Sequence, residues 1–216
     1  MIRALVPAKT LGEAKGRLAA VLSELERRAL ALAMLEDVLR ALRAVPAIDS
    51  ISVVSPDDEV LSLAARLGAN PVAESASVRG LNQALNRAVS AMSPPPNALL
   101  IVHGDVPEVT PADIEALLAA LPERGIALCP SPDKGTSALA LRPPGVIAFR
   151  FGEKSSVMHR REAAARGVPA ETVHLDSLSR DIDSLEDLRS LLSRPANSAT
   201  HRTLAELGIT ERLANA

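Results

Sequence analysis

Short runs of apolar residues alternate along this chain with longer segments in which apolar positions recur at helical spacing. Strands that alternate with amphipathic helices are typical of an α/β fold with a mostly parallel central sheet and helices on both faces. Strands are predicted at about 2–7, 50–55, 71–73, 98–103 and 125–129, with further strands near 136–141, 147–150 and 171–175.

Capping residues mark where several helices begin. Ser23, followed by Glu26 three residues later, forms a capping box and predicts a long helix over about 24–44. At residues 55–58, Ser-Pro-Asp-Asp predicts Ser55 as the N-cap and Pro56 as the first helical residue. Thr110 before a proline predicts a helix in the same way.

Proline-rich stretches predict where segments end. Residues 93–97, Ser-Pro-Pro-Pro-Asn, cannot continue a helix, so they end a helix predicted at about 79–92 and lead into the next strand. Residues 194–198, Arg-Pro-Ala-Asn-Ser, predict a boundary. We therefore expect a main domain over 1–193 and a C-terminal extension over 194–216 with a short helix at 200–207.

Composition limits the classes of function. The chain has 216 residues and is 47% hydrophobic, which is enough for a substantial core, but it has two Phe and no Trp or Tyr. That composition argues against a base-stacking surface for single-stranded nucleic acid. The net charge of −2 creates no field that would attract nucleic acid or an anionic membrane, so phosphate recognition must depend on a few local cations.

The sequence also indicates the cellular compartment in which the protein is expected. The single Cys129 cannot form an internal disulfide and is expected in the core. The N-terminal apolar run is too short for a signal peptide, and no stretch reaches the roughly 18 apolar residues of a membrane span. A cytoplasmic protein without a membrane partner is expected.

Asp105 is the first candidate for a metal ligand. It follows the apolar run 98–102, with Gly104 before it and Val-Pro after it. Ligands of α/β sheets bind at the carboxyl ends of the strands, and Gly104 would let a phosphate or metal approach the backbone closely. The alternative is an ordinary turn aspartate that caps the next helix.

A basic loop follows the first predicted strand. Lys9, Lys15 and Arg17 lie within nine residues that also hold Gly12 and Gly16. Three cations and flexible amides suit a polyphosphate, although the loop matches neither the Walker nor the dinucleotide fingerprint. A solvated basic loop is the alternative.

A second pair of acids comes from a distant part of the chain. Asp181 and Asp183 precede a helix capped by Ser184, with Asp187 three residues further on. The motif alone indicates a helix start. Together with Asp105, however, it offers carboxylates that could hold Mg²⁺ while phosphates complete the coordination, as in a phosphate-transfer or nucleotide-transfer centre.

A third element could bind a small phosphorylated acid. Gly152 leads to a helix that starts at Ser155, and free amides with serine hydroxyls at a helix start suit an anion. Thr136 opens an apolar strand and could add a hydroxyl to the same pocket. His159 is expected to be a surface or packing residue of this helix rather than a catalytic base.

The ordered set of motifs resembles the 2-phospho-L-lactate / phosphoenolpyruvate guanylyltransferase family of coenzyme F(420) biosynthesis. The resemblance covers most of the chain. Its matching stretches are 6–9 and 14–18 in the basic loop, 32–39, 80–86, Gly-Asp-Val-Pro at 104–107, Gly-Thr-Ser-Ala-Leu at 135–139, Phe-Gly at 151–152 with Ser155 and His159, and Asp-Ile-Asp at 181–183.

The resemblance implies a Rossmann-like nucleotidyltransferase fold of the MobA type and an enzyme that transfers GMP from GTP to a small phosphorylated carboxylic acid. It implies that Asp105 and Asp183 hold Mg²⁺ and act in catalysis with Lys15. The implied contacts are Lys9, Lys15 and Arg17 to the triphosphate, Gly80, Asn82 and Glu74 to the nucleoside, and Thr136, Gly152 and Ser155 to the acceptor.

Several questions stay open at this stage. The acceptor is phosphoenolpyruvate, 2-phospho-L-lactate or 3-phospho-D-glycerate, and the sequence does not choose among them. A homodimer and a functional coupling to the next enzyme of the pathway are open, and His103 has no assigned role. The competing hypotheses are another MobA-like nucleotidyltransferase, of the cytidylyl or sugar-phosphate type, and a non-catalytic nucleotide-binding module.

Overall fold

The computed structural model describes residues 1–74, 80–194 and 196–214. The strands in these ranges are β1 (Ile2–Pro7), β2 (Ile48–Ser55), β3 (Asn70–Ala73), β4 (Ala98–Val102), β5 (Gly125–Pro130), β6 (Thr136–Arg142) and β7 (Ala170–Thr172). The α-helices there are α1 (Glu24–Arg43), α2 (Asp58–Arg66), α3 (Leu81–Ser90), α4 (Pro111–Ala119), α5 (Ser155–Ala165), α6 (Asp176–Ser179), α7 (Leu185–Leu192), α8 (Ala199–Glu206) and α9 (Ile209–Ala214).

The strands form one sheet in the order β3-β2-β1-β4-β6-β5-β7. β1 is parallel to both β2 and β4, and β5 is parallel to β7, whereas β6 runs antiparallel to β4 and β5. The predicted α/β fold with a mostly parallel sheet is confirmed. The chain moves outward from β1 in one direction and from β4 in the other, so a crevice opens at the carboxyl ends of these two strands.

Alternation along the central strands fills a core on each face of the sheet. Leu100 and Val102 of β4 pack in one cluster with α1, α2 and α4, whereas Leu99 and Ile101 pack in a second cluster with α3 and α5. Successive side chains of a strand point to opposite faces, so a strand covered on both sides is apolar throughout. β4 is accordingly buried at every position.

A third apolar cluster joins the C-terminal helices to α1. Leu204 and Ile209 pack there with Met34 of α1 and Leu188 of α7. Asp37 of α1 fixes the start of α8: its carboxylate accepts hydrogen bonds from the amides of Ala199 and Thr200 at 2.7 and 2.8 Å and from the Thr200 hydroxyl at 2.6 Å. A buried carboxylate satisfies the unpaired amides of the helix start in this way.

Helix starts follow the predicted caps with one exception. Capping boxes are present at Ser23, Thr110 and Ser184. The prediction that Ser55 caps the second helix is wrong, because Asp57 is the N-cap and Ser55 ends β2. The Ser55 hydroxyl accepts a hydrogen bond from the Asp57 amide instead. The predicted helices at 79–92 and 200–207 correspond to α3 and α8; residue 79 lies outside the described residues.

The strand predicted at 147–150 is wrong. These residues are apolar because Ile147 and Phe149 pack against the sheet in the second cluster, but within the described ranges they pair with no strand. The segment is held by side chains: the amide of Arg150 donates to His159 and the amide of Phe151 donates to Asn82. The strand predicted near 171–175 is confirmed only as the shorter β7, and Cys129 is buried as expected.

Candidate active site

The strand ends converge on a cavity of about 360 Å³. β1 and β4 run parallel, so the basic loop after Pro7 and the Gly104-Asp105 turn leave the sheet at the same edge. Because β6 is antiparallel to β4, its first residues, Thr136 and Ser137, start at this edge as well. All three segments line the cavity, which is the position that α/β sheets use for ligands.

A lysine bridges two carboxylates at one side of this cavity. The Nζ of Lys15 lies 2.9 Å from Oδ2 of Asp105 and 2.7 Å from Oδ1 of Asp183. The Lys15 side chain is 6% exposed, and its backbone has φ 54°, a left-handed conformation that is costly for a residue with a side chain. Two charge-assisted hydrogen bonds hold the residue in this conformation.

Asp181 completes a cluster of three carboxylates. One oxygen each from Asp105, Asp181 and Asp183 lies within 4.8 Å of the others. Such a set of oxygen ligands from three carboxylates fits a divalent cation of the hard type. The sequence predicted a pair of acids, Asp181 and Asp183, that could join Asp105 at a metal, but Asp181 was not among the metal ligands implied by the family resemblance.

The cluster shifts the pKa values of its members in opposite directions. Burial alone would raise the pKa of Asp105, but Lys15, with smaller contributions from His103 and Lys9, lowers the pKa to about 2. Burial would lower the pKa of Lys15, but Asp105 and Asp183 raise it. Burial and then the Asp105 and Asp183 carboxylates raise the pKa of Asp181 to about 6. The cluster therefore has a negative field that favours a further cation.

Main-chain and ion-pair contacts hold the two distant segments together. The amide of Ile182 donates to the Asp105 carbonyl at 3.2 Å, so the acidic segment 181–183 lies directly against the β4 turn. Arg194 makes two hydrogen bonds of 2.7 and 2.6 Å to the carboxylate of Glu108. These contacts fix α7 and the acids before it to the turn that carries Asp105.

Gly104 has a packing role in the same turn. A Cβ at this position would lie 3.3 Å from Leu35 of α1 and 3.5 Å from the carbonyl oxygen of Pro7 at the end of β1. The absence of a side chain lets the ends of β1 and β4 approach closely. Gly104 is therefore needed so that the turn can pack against Leu35 and the end of β1.

Hydroxyl groups line the same cavity as the carboxylates. The Ser155 hydroxyl donates to Oγ1 of Thr136 at 2.9 Å, and Thr136 Oγ1 lies 3.2 Å from Nδ1 of His159. All three residues are buried, and Ser155 and Thr136 border the cavity. His159 is a fully buried packing residue that carries polar contacts on both ring nitrogens.

The start of α5 does not offer the free amides expected from the sequence. The amide of Ser155 donates to the Gly152 carbonyl and the amide of Ser156 to the Lys134 carbonyl. The Ser156 hydroxyl also donates to Lys134, at 2.8 Å. The hydroxyls of Thr136 and Ser155, and the buried hydroxyl of Ser137, which has no partner among the described residues, are therefore the groups that could bind an anion at this end of the cavity.

Asn82 clamps the loop that leads to Gly152. Its Oδ1 accepts from the Phe151 amide at 2.8 Å and its Nδ2 donates to the Phe151 carbonyl at 2.9 Å. The ring of Phe151 lies between His103 and His159, with centroid distances of 5.3 and 4.8 Å. Asn82, from α3, thus orders the loop beside the hydroxyl groups.

The structure brings most of the predicted site residues to the cavity. Lys9, Lys15, Asp105 and Asp183 line it at the charged side, and Thr136, Gly152 and Ser155 line it at the hydroxyl side. Arg17 and Gly80 are exposed, and the amide of Glu74 donates to Ser55 at the end of β2. These three residues and Asn82 are not among the residues that line this cavity.

Comparison with known proteins gives a consistent result. A family model described as "Guanylyl transferase CofC like" matches residues 2–215. A phosphoenolpyruvate guanylyltransferase from Sphaerobacter thermophilus is 45% identical over 190 residues, 87% of this chain and 91% of the relative. A 2-phospho-L-lactate guanylyltransferase from Methanothermobacter thermautotrophicus is 32% identical over 207 residues, 96% of this chain and 91% of the relative.

The fold is shared with solved nucleotidyltransferases. A nucleotidyl transferase structure from Methanothermobacter thermautotrophicus superposes with a TM-score of 0.69 at 18% identity and covers 88% of this chain and 95% of the other. Among the residues that the model describes, no helix is both long and apolar enough to cross a membrane.

Proposed function

The chain belongs to the guanylyl transferase CofC-like family, and from this premise we propose that it transfers GMP from GTP to phosphoenolpyruvate or 2-phospho-L-lactate and releases pyrophosphate. The observation that carries this proposal is that one cavity is lined both by the cluster of Lys15, Asp105, Asp181 and Asp183 and by the hydroxyl-bearing residues Thr136 and Ser155. The charged side suits a metal-bound triphosphate, and the hydroxyl side suits a small anionic acceptor.

The reaction needs positioning and charge neutralisation more than proton transfer. An oxygen of the acceptor phosphate attacks the α-phosphorus of GTP, and the bond from that phosphorus to the β-phosphate bridging oxygen breaks. The electron pair leaves with pyrophosphate, which carries the released negative charge. Because the attacking phosphate oxygen is ionised at neutral pH, no side chain has to remove a proton from it.

Each side of the cavity has a part in this reaction. Lys9 and Lys15 place two ammonium groups at the charged side, where negative charge would accumulate on the triphosphate. The hydroxyls of Thr136 and Ser155 orient the acceptor so that its phosphate faces the nucleotide. Holding both substrates in one geometry supplies a large share of the rate enhancement of such bimolecular reactions.

The cluster of carboxylates fits a divalent cation, and we assign Mg²⁺ to it. Asp105 and Asp183 would hold the ion, and the oxygen of Asp181 is within the same 4.8 Å group. Carboxylates and phosphate oxygens are the ligands that Mg²⁺ prefers. When bound, the ion supplies neutralisation of the charge that develops on the phosphates.

The decisive experiment supplies the purified protein with GTP, Mg²⁺ and one acid at a time, and identifies the product by mass. Phosphoenolpyruvate, 2-phospho-L-lactate and 3-phospho-D-glycerate are the acids to compare. We expect a GMP conjugate and pyrophosphate with at least one of the first two. Because the conjugate is labile, a coupled assay with the next enzyme of the coenzyme F(420) pathway is the second readout.

A nucleotide screen is the control for this experiment. ATP, CTP and UTP replace GTP in the same mixture, and pyrophosphate release is measured. Turnover with CTP alone would indicate a cytidylyltransferase on the same fold. Binding of GTP without turnover on any of the acids would indicate a nucleotide-binding module and would overturn the proposal.

A further inference from the structure

His159 occupies the end of a chain of hydrogen bonds that reaches the cavity. The chain runs from the Ser155 hydroxyl to Oγ1 of Thr136 at 2.9 Å and on to Nδ1 of His159 at 3.2 Å. The other ring nitrogen, Nε2, lies 3.0 Å from the amide nitrogen of Arg150. His159 has no exposed surface, so its two nitrogens have only these partners to satisfy among the described residues.

The contact with Arg150 fixes which nitrogen of His159 carries the hydrogen. A backbone amide can only donate, so Nε2 must accept and carries no hydrogen. The single hydrogen of the neutral ring is then on Nδ1, which donates to Thr136. Burial, more than the opposing Glu162 carboxylate, lowers the pKa of His159 to about 4, so the ring stays neutral at physiological pH.

This tautomer determines how many hydrogens the two hydroxyls can offer to a ligand. Ser155 and Thr136 together have two hydroxyl hydrogens, and the bond between them uses one. Because Nδ1 of His159 donates to Thr136, the Thr136 hydroxyl does not have to donate to the ring, and one hydroxyl hydrogen of the pair stays free. If Nδ1 accepted instead, Thr136 would donate to it, Ser155 would donate to Thr136, and none would remain.

We propose that His159 is a positioning residue of the acceptor site: held by the Arg150 amide as the Nδ1–H tautomer, it leaves one hydroxyl hydrogen of the Thr136 and Ser155 pair free to bind the phosphorylated acid. The inference rests on the proposed function, and it concerns a residue that the sequence predicted to be a surface or packing residue. Within the described residues, no other side chain shares a hydrogen bond with either hydroxyl.

The spare hydrogen matters because several donors at the start of α5 are already used. The amides of Ser155 and Ser156 donate to protein carbonyls, and the Ser156 hydroxyl does the same. In the described part of the chain the buried hydroxyl of Ser137, another residue that lines the cavity, has no partner, so an anionic acceptor oxygen can bind to it as well as to the Thr136 and Ser155 pair. Donation to a charged oxygen is the stronger class of hydrogen bond, so the loss of one hydrogen is measurable in the affinity for the acceptor.

Two substitutions test the contacts of the two ring nitrogens one at a time. In H159N, the amide nitrogen of the shorter side chain replaces Nδ1 and can still donate to Thr136. In H159Q, the carbonyl of the longer side chain replaces Nε2 and can still accept from Arg150, but Oγ1 of Thr136 loses the N–H that fixes the direction of its hydroxyl, so the spare hydrogen is no longer held towards the cavity. The matched control is M158Q, at the neighbouring position of α5, whose side chain is partly exposed at 40%.

The kinetic test measures KM for the acceptor, KM for GTP and kcat in each variant, with thermal unfolding as the check of folding. We expect H159Q to raise the acceptor KM about 5- to 10-fold and to leave the GTP KM unchanged. H159N should raise the acceptor KM by less than about threefold, and M158Q should change neither KM. Equal loss in H159N and H159Q, or a parallel rise in the GTP KM, would show a structural role and overturn the proposal.

A second measurement does not depend on turnover. The ¹⁵N spectrum of histidine-labelled protein, with the His159 signals assigned from their loss in H159Q, reports which nitrogen carries the hydrogen. Protonated Nδ1 and bare Nε2 at pH 7 are the expected result, and the opposite tautomer would refute the inference even in an active enzyme. If no acid is guanylylated while this tautomer is observed, the proposed function fails and the geometry around His159 stands.

Discussion

Replacing Asp181 by Asn should stabilise the metal-free protein at alkaline pH. Asp181 shares the carboxylate cluster with Asp105 and Asp183, and only two of these three acids contact the Lys15 ammonium. Burial and these two neighbouring charges together raise the pKa of Asp181 from its ordinary 3.8 to about 6. In D181N the amide keeps the shape of the side chain but cannot carry the charge that the cluster disfavours.

The pKa difference gives both the size and the sign of the effect. The folded protein keeps the proton up to about pH 6, whereas the unfolded chain loses it near 3.8, so stability declines as pH rises through this window. At 1.36 kcal/mol per unit, the full difference corresponds to about 3 kcal/mol. Because the group is partly exposed and screened, we expect D181N to gain about 1–2 kcal/mol at pH 8.

The assay is thermal unfolding followed by circular dichroism, in EDTA, at pH 4.5 and pH 8. For a chain of this length the gain corresponds to a Tm about 2–8 °C higher for D181N at pH 8, and most of this difference should vanish at pH 4.5. The control is E115Q, which removes a carboxylate from an exposed position of α4. A Tm difference that is the same at both pH values, or a less stable D181N at pH 8, would refute the arrangement of charges described above.

Three further predictions test other parts of the molecule. D105N should lower kcat by more than about 100-fold while its circular dichroism spectrum stays unchanged, because it removes a carboxylate proposed to hold the metal and a partner of Lys15; a folded variant with normal turnover would exclude Asp105 from the reaction. S155A should raise KM for the acceptor about tenfold and leave KM for GTP unchanged in steady-state assays, and an equal rise in both would reassign the hydroxyl side of the cavity. D37A should lower the free energy of unfolding in urea by about 2–4 kcal/mol, because the buried amides of Ala199 and Thr200 lose their acceptor; a loss below about 0.5 kcal/mol would show that α8 finds other partners.

The elements that sequence predicted well are those whose signal is local. A run of five apolar residues, as in β4, has few alternatives to a strand covered on both faces. The capping boxes at Ser23, Thr110 and Ser184 are complete within four residues. At Ser55 the local signal was ambiguous, because Asp57 follows two residues later and caps the helix instead.

The errors and omissions have long-range causes. The apolar segment 147–150 has the composition of a strand, but its backbone is held by side chains of His159 and Asn82, which belong to two different helices. The direction of β6 is not encoded in its own residues, yet this direction brings Thr136 to the edge where Asp105 lies. Sequence could thus point to many of the residues that line the cavity but not to the contacts that orient them.

The position of Lys15 has a consequence for the order in which ligands arrive. Its ammonium group is the counter-ion of Asp105 and Asp183, the same two acids that are assigned to the metal. A free Mg²⁺ ion must compete with the Lys15 ammonium for these two carboxylates. An ion that arrives bound to a nucleotide brings phosphate oxygens, and the ammonium can then pair with these oxygens instead of the carboxylates. Calorimetric titration should accordingly find weak binding of Mg²⁺ alone and much tighter binding of the Mg²⁺–GTP complex. In K15M the two dissociation constants should lie closer together.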